Sequence, residues 1–219
     1  MPLDYTFGGE SGEVIDKALI LVDLQVDFMP GGALAVAYAD EVIAIANRVS
    51  KHYKVVVATQ DWHPADHQSF ASQHADHGPG ELIDLHGLPQ VLWPDHCVQG
   101  SPGAAFVEEL DMSPVCAVFR KGMSPEVDSY SGFHDNGHRR STGLAGYLRE
   151  LGIQEVVVMG VATDYCVKFT VLDALKEGFG VELLLAGCRG VELEDGDVER
   201  AVEEMRVAGA TVRDETLLS

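Results

Sequence analysis

Hydrophobic positions fall into short, nearly unbroken apolar runs, and the stretches between them carry helical spacing. The runs are Ala18–Asp23, Val55–Thr59, Val115–Arg120, Val156–Gly160, Val181–Ala186 and Ala210–Arg213. They are rich in Val, Ile and Leu with little polar alternation, the pattern of strands buried on both faces. Amphipathic patterns predict helices over Ala39–His52, Gly103–Leu110, Thr142–Leu151, Asp164–Glu177 and Gly196–Ala208. Strand alternating with helix predicts an α/β fold: a doubly wound, mainly parallel six-stranded sheet with helices on both faces, in three layers. There is no internal repeat and no low-complexity linker, so residues 18–219 read as a single domain after a short polar N-terminal extension, residues 1–17. The segment Asp61–Ser113 departs from the rhythm. It is rich in His, Pro and Gly and reads as irregular loop with one short helix. Loops of that length in a compact domain are usually functional.

In open α/β sheets, ligands sit beyond the carboxyl ends of the strands. Asp23 closes "ALILVD", Asp61 follows "VVVATQ", Lys121 follows "AVFR" and Cys166 follows "VVVMGVATDY". Separate strands thus deliver two acids, an amine and a thiol to one rim. A cysteine attacks only as its thiolate, and its ordinary pKa is about 8.5. The helix predicted from Asp164 would turn free N–H groups toward Cys166, Lys121 would supply positive charge, and Asp23 would take the proton. The alternative is a buried, inert thiol, the commoner fate of a cysteine in an apolar chain, with Asp23 as a helix cap and Lys121 as a solvated charge. Cys97, Cys116 inside a predicted strand and Cys188 in a "GCRG" segment that reads as a turn keep that plain reading. The loop adds a second constellation. "TQDWHPADHQSF" holds Asp61, His63 and His67, and "LWPDHCVQG" adds His96. Imidazoles with a carboxylate suit zinc, iron or manganese. The alternative is loop histidines that serve only as turn partners.

Composition narrows the class. Hydrophobic residues make up 46% of the 219 and charged residues 23%, which is ordinary globular usage. The net charge of -20 disfavours nucleic acid and anionic membranes as partners. No apolar run reaches spanning length, and the N-terminus has no basic-then-apolar secretory pattern, so a cytoplasmic location is the expectation. Four cysteines without a CxxC pair read as thiols rather than a disulfide framework.

Five segments, "LILVDLQVDFMPGGAL", "TQDWHPADHQSFAS", "LWPDHCVQGSPGA", "FRKGMSPEVDSYSGFHDN" and "GVATDYCVKFTVLDAL", closely resemble the nicotinamidases of the isochorismatase-like cysteine hydrolase superfamily, and "AGCRGVE" extends the likeness. The resemblance implies a catalytic triad of Asp23, Lys121 and Cys166. It implies one divalent transition metal, zinc before iron or manganese, held by Asp61, His63 and His96, with His67 left outside the set. It implies a cis peptide before Ala162 and an oxyanion hole from the N–H groups of Ala162 and Cys166. Phe28, Trp93 and Tyr130 match positions that line the ring pocket, with core packing as the plain alternative. The implied reaction is hydrolysis of nicotinamide to nicotinate and ammonia through a cysteine thioester, with pyrazinamide as a further substrate. An amidohydrolase of the same fold acting on another small amide or a carbamoyl compound is the alternative, and a homo-oligomer stays open.

Overall fold

The computed structural model describes residues 17–214. The expected N-terminal extension lies outside them except for Lys17, which opens the first strand. Eight strands run in chain order: β1 (Lys17–Val22), β2 (Val56–Asp61), β3 (Leu82–Leu85), β4 (Leu88–Val91), β5 (Val115–Lys121), β6 (Glu155–Val161), β7 (Gly180–Arg189) and β8 (Thr211–Arg213). The α-helices are α1 (Asp40–Val49), α2 (Leu144–Glu150), α3 (Lys168–Lys176) and α4 (Asp197–Ala208).

Six strands form one sheet in the order β5-β2-β1-β6-β7-β8, and every neighbouring pair is parallel. The chain builds outward from β1 through β2 to β5. It then returns to the other side of β1 and builds outward again through β6, β7 and β8. Right-handed crossovers of opposite travel place α1 on one face and α3 and α4 on the other. The strands at the centre are therefore covered on both faces. Ala18, Leu19, Ile20 and Val22 of β1 and Val156 and Val158 of β6 are fully buried, which is why these runs lack polar alternation. The helices carry apolar stripes to match: α1 buries Val42, Ile43, Ala46 and Val49, and α4 buries Ala201, Val202 and Met205. Acids sit in the first turn of both helices and an arginine in the last, as the helix dipole favours. Gly209, at φ 114°, ends α4 in the left-handed conformation that a side chain would resist.

The order of the strands reverses between β1 and β6, so a crevice opens beyond their carboxyl ends. Asp23 follows β1 and Ala162 follows β6. The backbones come close there. Gly160, at φ 131°, pairs with Val22, and a Cβ on it would run into the Val22 carbonyl oxygen.

Three expectations need correction. The helix predicted over Gly103–Leu110 is only a 3-10 turn at Pro102–Ala104. Its apolar spacing serves a loop whose Val107 and Leu110 are buried in the core. The loop region contains an antiparallel hairpin, β3–β4, closed by His86 at φ 54° and Gly87 at φ 83°. Two left-handed residues in a row make the tight turn that suits a twisted hairpin. Finally, "GCRG" is no turn as far as Arg189: β7 runs on through Cys188, which pairs with Gly160.

Substituting Gly160 tests the close approach of β1 and β6. Gly160→Ala should destabilise the fold by roughly 2 kcal/mol or more, because both the φ and the contact oppose a side chain. Urea unfolding followed by far-UV circular dichroism measures it, and a midpoint equal to that of the parent chain contradicts the packing described.

Candidate active site and metal centre

Four strand ends converge on one buried ammonium group. Lys121 closes β5, directly opposite Asp61 at the end of β2 in the parallel ladder. Its Nζ lies 2.6 Å from Asp61 Oδ1 and 2.8 Å from Asp23 Oδ2. It also lies 3.3 Å from Cys166 Sγ and donates to the Ser129 carbonyl at 3.0 Å. Asp23 is fully buried and Lys121 is 2% exposed. Asp23 Oδ1 accepts the Thr59 hydroxyl at 2.6 Å. Asp23 Oδ2 has the lysine as an ion partner but no hydrogen bond of good angle. One oxygen is thus held while the other can receive a proton. Asp23, at φ 52°, turns the chain away from the sheet.

Cys166 sits in a turn wound as π-helix, Thr163–Val167, which runs directly into α3. Such turns often occur at functional sites. The Ala162 carbonyl accepts the N–H groups of Tyr165 and Val167, at 3.1 and 3.0 Å, and passes over that of Cys166 between them. The Val161–Ala162 peptide is cis, as the resemblance implies.

The electrostatics follow from burying one cation among three acidic groups. Burial raises the Asp23 carboxyl to about 6, against the pull of Lys121 and with the push of Asp61. Burial pushes the Cys166 thiol well above its usual range, and Lys121 only partly offsets this. Lys121 stays charged: burial works against the ammonium, but Asp23, Asp61 and Cys166 together raise it well above the ordinary lysine value. Burial also opposes charge on Asp61, and there Lys121 and His63 win, holding the carboxyl far below its usual range. The resting site is therefore a neutral thiol beside a carboxylate poised near neutrality and a fixed positive charge.

The second constellation shares Asp61. Ligand atoms of Asp61, His63 and His96 all lie within 4.8 Å of one another, and all three residues are buried. His63 Nε2 is 3.7 Å from Asp61 Oδ1, and His96 Nε2 is 3.9 Å from Asp61 Oδ2. Each imidazole is anchored at its other nitrogen, His63 Nδ1 by the Gly122 carbonyl at 3.0 Å and His96 Nδ1 by the Pro94 carbonyl at 2.8 Å. That second contact fixes the ring and leaves Nε2 for a metal. Burial, reinforced by His63, lowers His96 to about 4 and keeps it neutral. Asp61 works the other way on His63, raising its imidazole against the effect of burial, and a bound cation would take the place of that proton. One carboxylate and two imidazole nitrogens in a dry pocket fit a divalent transition metal and leave coordination positions for solvent or substrate.

Beside both constellations lies a narrow cavity lined by Phe28, Leu34, Asp61, His63, Trp93, His96, Asp128, Tyr130, Ala162, Tyr165, Cys166 and Val191. Every expected pocket residue lines it. The sequence reading missed Leu34, Asp128, Tyr165 and Val191. Tyr165 was adjacent to the nucleophile candidate, and Asp128, Leu34 and Val191 all lay inside quoted motifs, but the residue type of Leu34 and Val191 suggested only core packing. The aromatic wall is tightly joined. Trp93 and Tyr165 meet edge to face with centroids 4.8 Å apart. The Tyr130 hydroxyl accepts from Trp93 Nε1 at 3.1 Å and Gln90 Nε2 at 3.0 Å. Among the other cysteines, Cys188 is buried and bonded to the Leu184 carbonyl, and Cys116 is exposed on the edge strand.

Removing the central cation should be costly. In metal-free protein, Lys121→Met leaves Asp23 and Asp61 buried without their counter-charge, a loss of about 3–5 kcal/mol. The raised Asp23 carboxyl sets the sign. Its folded value then lies still further above the unfolded one, so the deficit is smallest below about pH 4 and grows as pH rises through 6 and above. Denaturant unfolding at pH 4.5 and pH 8 checks this; equal deficits would contradict it.

Residues 17–216 match the family model described as the isochorismatase domain. The nicotinamidase of Escherichia coli (strain K12) is 52% identical over 202 residues, covering 90% of this chain and 93% of that protein. The structure of PnC1 from L. infantum in complex with nicotinate superposes with a TM-score of 0.80 at 39% identity, covering 92% of this chain and 93% of that one. The structure of the pyrazinamidase of Pyrococcus horikoshii in complex with zinc gives 0.75 at 40% identity, covering 91% and 99%. The chain therefore belongs to the isochorismatase family, among its nicotinamidases.

Proposed function

We propose that the chain hydrolyses nicotinamide to nicotinate and ammonia, and accepts pyrazinamide, with Cys166 as nucleophile. The observation that carries this is the contact of Cys166 Sγ with Lys121 Nζ at 3.3 Å, at the floor of an aromatic-walled cavity. The relatives named above act on, or were crystallised with, molecules of this class.

The chemistry follows from the resting charges. As Sγ attacks the carboxamide carbon, its proton passes to the Asp23 carboxylate, and Lys121 stabilises the sulfur as charge develops on it. The carbonyl π bond breaks, and the N–H groups of Ala162 and Cys166 receive the resulting oxyanion. When the tetrahedral centre collapses, the carbon–nitrogen bond breaks and the leaving nitrogen takes the proton from Asp23, giving ammonia. A thioester to Cys166 remains. Asp23, again a carboxylate, takes a proton from an attacking water, the carbon–sulfur bond breaks, and the proton returns to sulfur. Asp61, His63 and His96 would hold a divalent metal, for which zinc is proposed. When bound, that metal supplies a Lewis-acid point that orients the pyridine ring or an ordered water. Phe28, Trp93, Tyr130 and Tyr165 enclose the ring and exclude bulk water. No helix among the described residues is long and apolar enough to cross a membrane.

Ammonia release from nicotinamide is the direct test. Cys166→Ala should reduce it to background while the fold stays intact, and Cys188→Ala should keep most of it. Because Asp23 must be ionised to take the thiol proton, kcat/KM should fall on the acid side with an apparent pKa of about 6. A profile flat down to pH 4.5 would remove Asp23 as the base, and full activity in Cys166→Ala would end the nucleophile assignment.

A further inference from the structure

The three histidines of the loop near Asp61 are all held at Nδ1, but the groups that hold them differ in kind. The Nδ1 atoms of His63 and His96 face carbonyl oxygens, at 3.0 Å for Gly122 and 2.8 Å for Pro94. A carbonyl only accepts, so each Nδ1 carries the proton and each Nε2 keeps its lone pair. The environment of His67 is opposite. Its Nδ1 accepts the main-chain N–H of Ser69 at 3.2 Å, and the Ser69 hydroxyl lies 2.7 Å from the same nitrogen. A proton on Nδ1 would point at the Ser69 N–H. The lone pair therefore sits on Nδ1, and the ring proton sits on Nε2. A protonated ring nitrogen has no lone pair for a metal.

His67 Nε2 is nonetheless aimed at something. The residue is fully buried and this nitrogen has no hydrogen-bond partner. A buried donor left unsatisfied costs about 1–3 kcal/mol. His67 lies against His63, with ring centroids 4.4 Å apart, and ligand atoms of His63, His67 and Asp128 lie within 4.8 Å of one another. Asp128 is buried, faces the cavity and takes no part in the reaction outlined above. Its oxygens accept single hydrogen bonds, from the Ser129 N–H at 2.7 Å and Gln90 Nε2 at 3.1 Å. A carboxylate has capacity for more. The pocket thus holds a free donor and an under-used acceptor close to each other and to His63.

We infer that His67 and Asp128 are a donor–acceptor clamp for a solvent molecule beside the metal set, and that His67 is a positioning residue and no metal ligand. His67 Nε2–H donates to the solvent oxygen, and the Asp128 carboxylate accepts one of its protons. The clamp thereby steadies the site occupied by the divalent cation on Asp61, His63 and His96. The inference rests on the metal reading of those three residues.

The test reads the metal, not the turnover. X-ray absorption on zinc-loaded protein counts imidazole ligands, and chelator competition gives zinc affinity. The clamp predicts two imidazoles on zinc in the parent chain and in His67→Ala. It predicts an affinity loss of about 10–100-fold in His67→Ala and in Asp128→Asn, the range for partners that act through another group. Because both residues act on one molecule, the double variant should lose little more than the worse single one. His67→Gln, which restores an N–H donor near the Nε2 position without an imidazole, should recover most of the affinity. Three imidazoles in the parent falling to two in His67→Ala, or unchanged affinity in every variant, would overturn the clamp. A parent chain that takes up no zinc, iron or manganese would overturn the metal reading itself, and the clamp with it.

Discussion

A single buried ammonium is the constraint from which the site follows. Lys121 is taken out of water, and nothing in an apolar core replaces its hydration except opposite charge. Asp23 and Asp61 supply it, at 2.8 and 2.6 Å. Each carboxylate is committed elsewhere as well, Asp23 facing the thiol and Asp61 facing two imidazoles. One lysine therefore ties the Cys166 thiol to the Asp61, His63 and His96 cluster. Neither half is electrostatically independent of the other. Two carboxylates share one cation, which is why Asp23 sits near neutrality while Asp61 is held far below its usual range.

The fold supplies this convergence through its winding. Because strand order reverses beside β1, the ends of β1 and β6 border a crevice, and β2 and β5 end beside it. Parallel register places Asp61 opposite Lys121. The π-wound turn then presents Cys166 from the β6 side. Second contacts set the chemistry of each group: Thr59 occupies one oxygen of Asp23, and main-chain carbonyls fix the tautomers of His63 and His96. Ser69 fixes the opposite tautomer in His67. Identical side chains in one loop thereby differ in which ring nitrogen carries the proton.

The sheet, the strand-end positions of Asp23, Asp61, Lys121 and Cys166, and the Asp-x-His spacing were legible in the chain. Continuous apolar runs have few structural outcomes, and a polar residue at the end of such a run must face a rim. The helical spacing of Gly103–Leu110 misled because burial of Val107 and Leu110 requires only that a loop touch the core. The hairpin at Leu82–Val91 was missed because its burial is too uneven for a clear alternation, leaving His86 and Gly87 as the main signal. "GCRG" resembled a turn, yet pairing with β6 carried the strand through it.

What the sequence determined by itself is what periodicity and residue type encode: a parallel α/β domain with an acid, an amine and a thiol at strand ends, and a histidine-rich loop beside them. Tertiary structure decided everything that depends on distance between remote segments. The Lys121–Asp61 contact spans 60 residues of sequence and exists only because β2 and β5 are neighbours. The raised Asp23 carboxyl and the anchoring of His63 by the Gly122 carbonyl arise in the same way. Each is set by burial and by a partner far away or by a backbone group, and neither is written in local residue spacing.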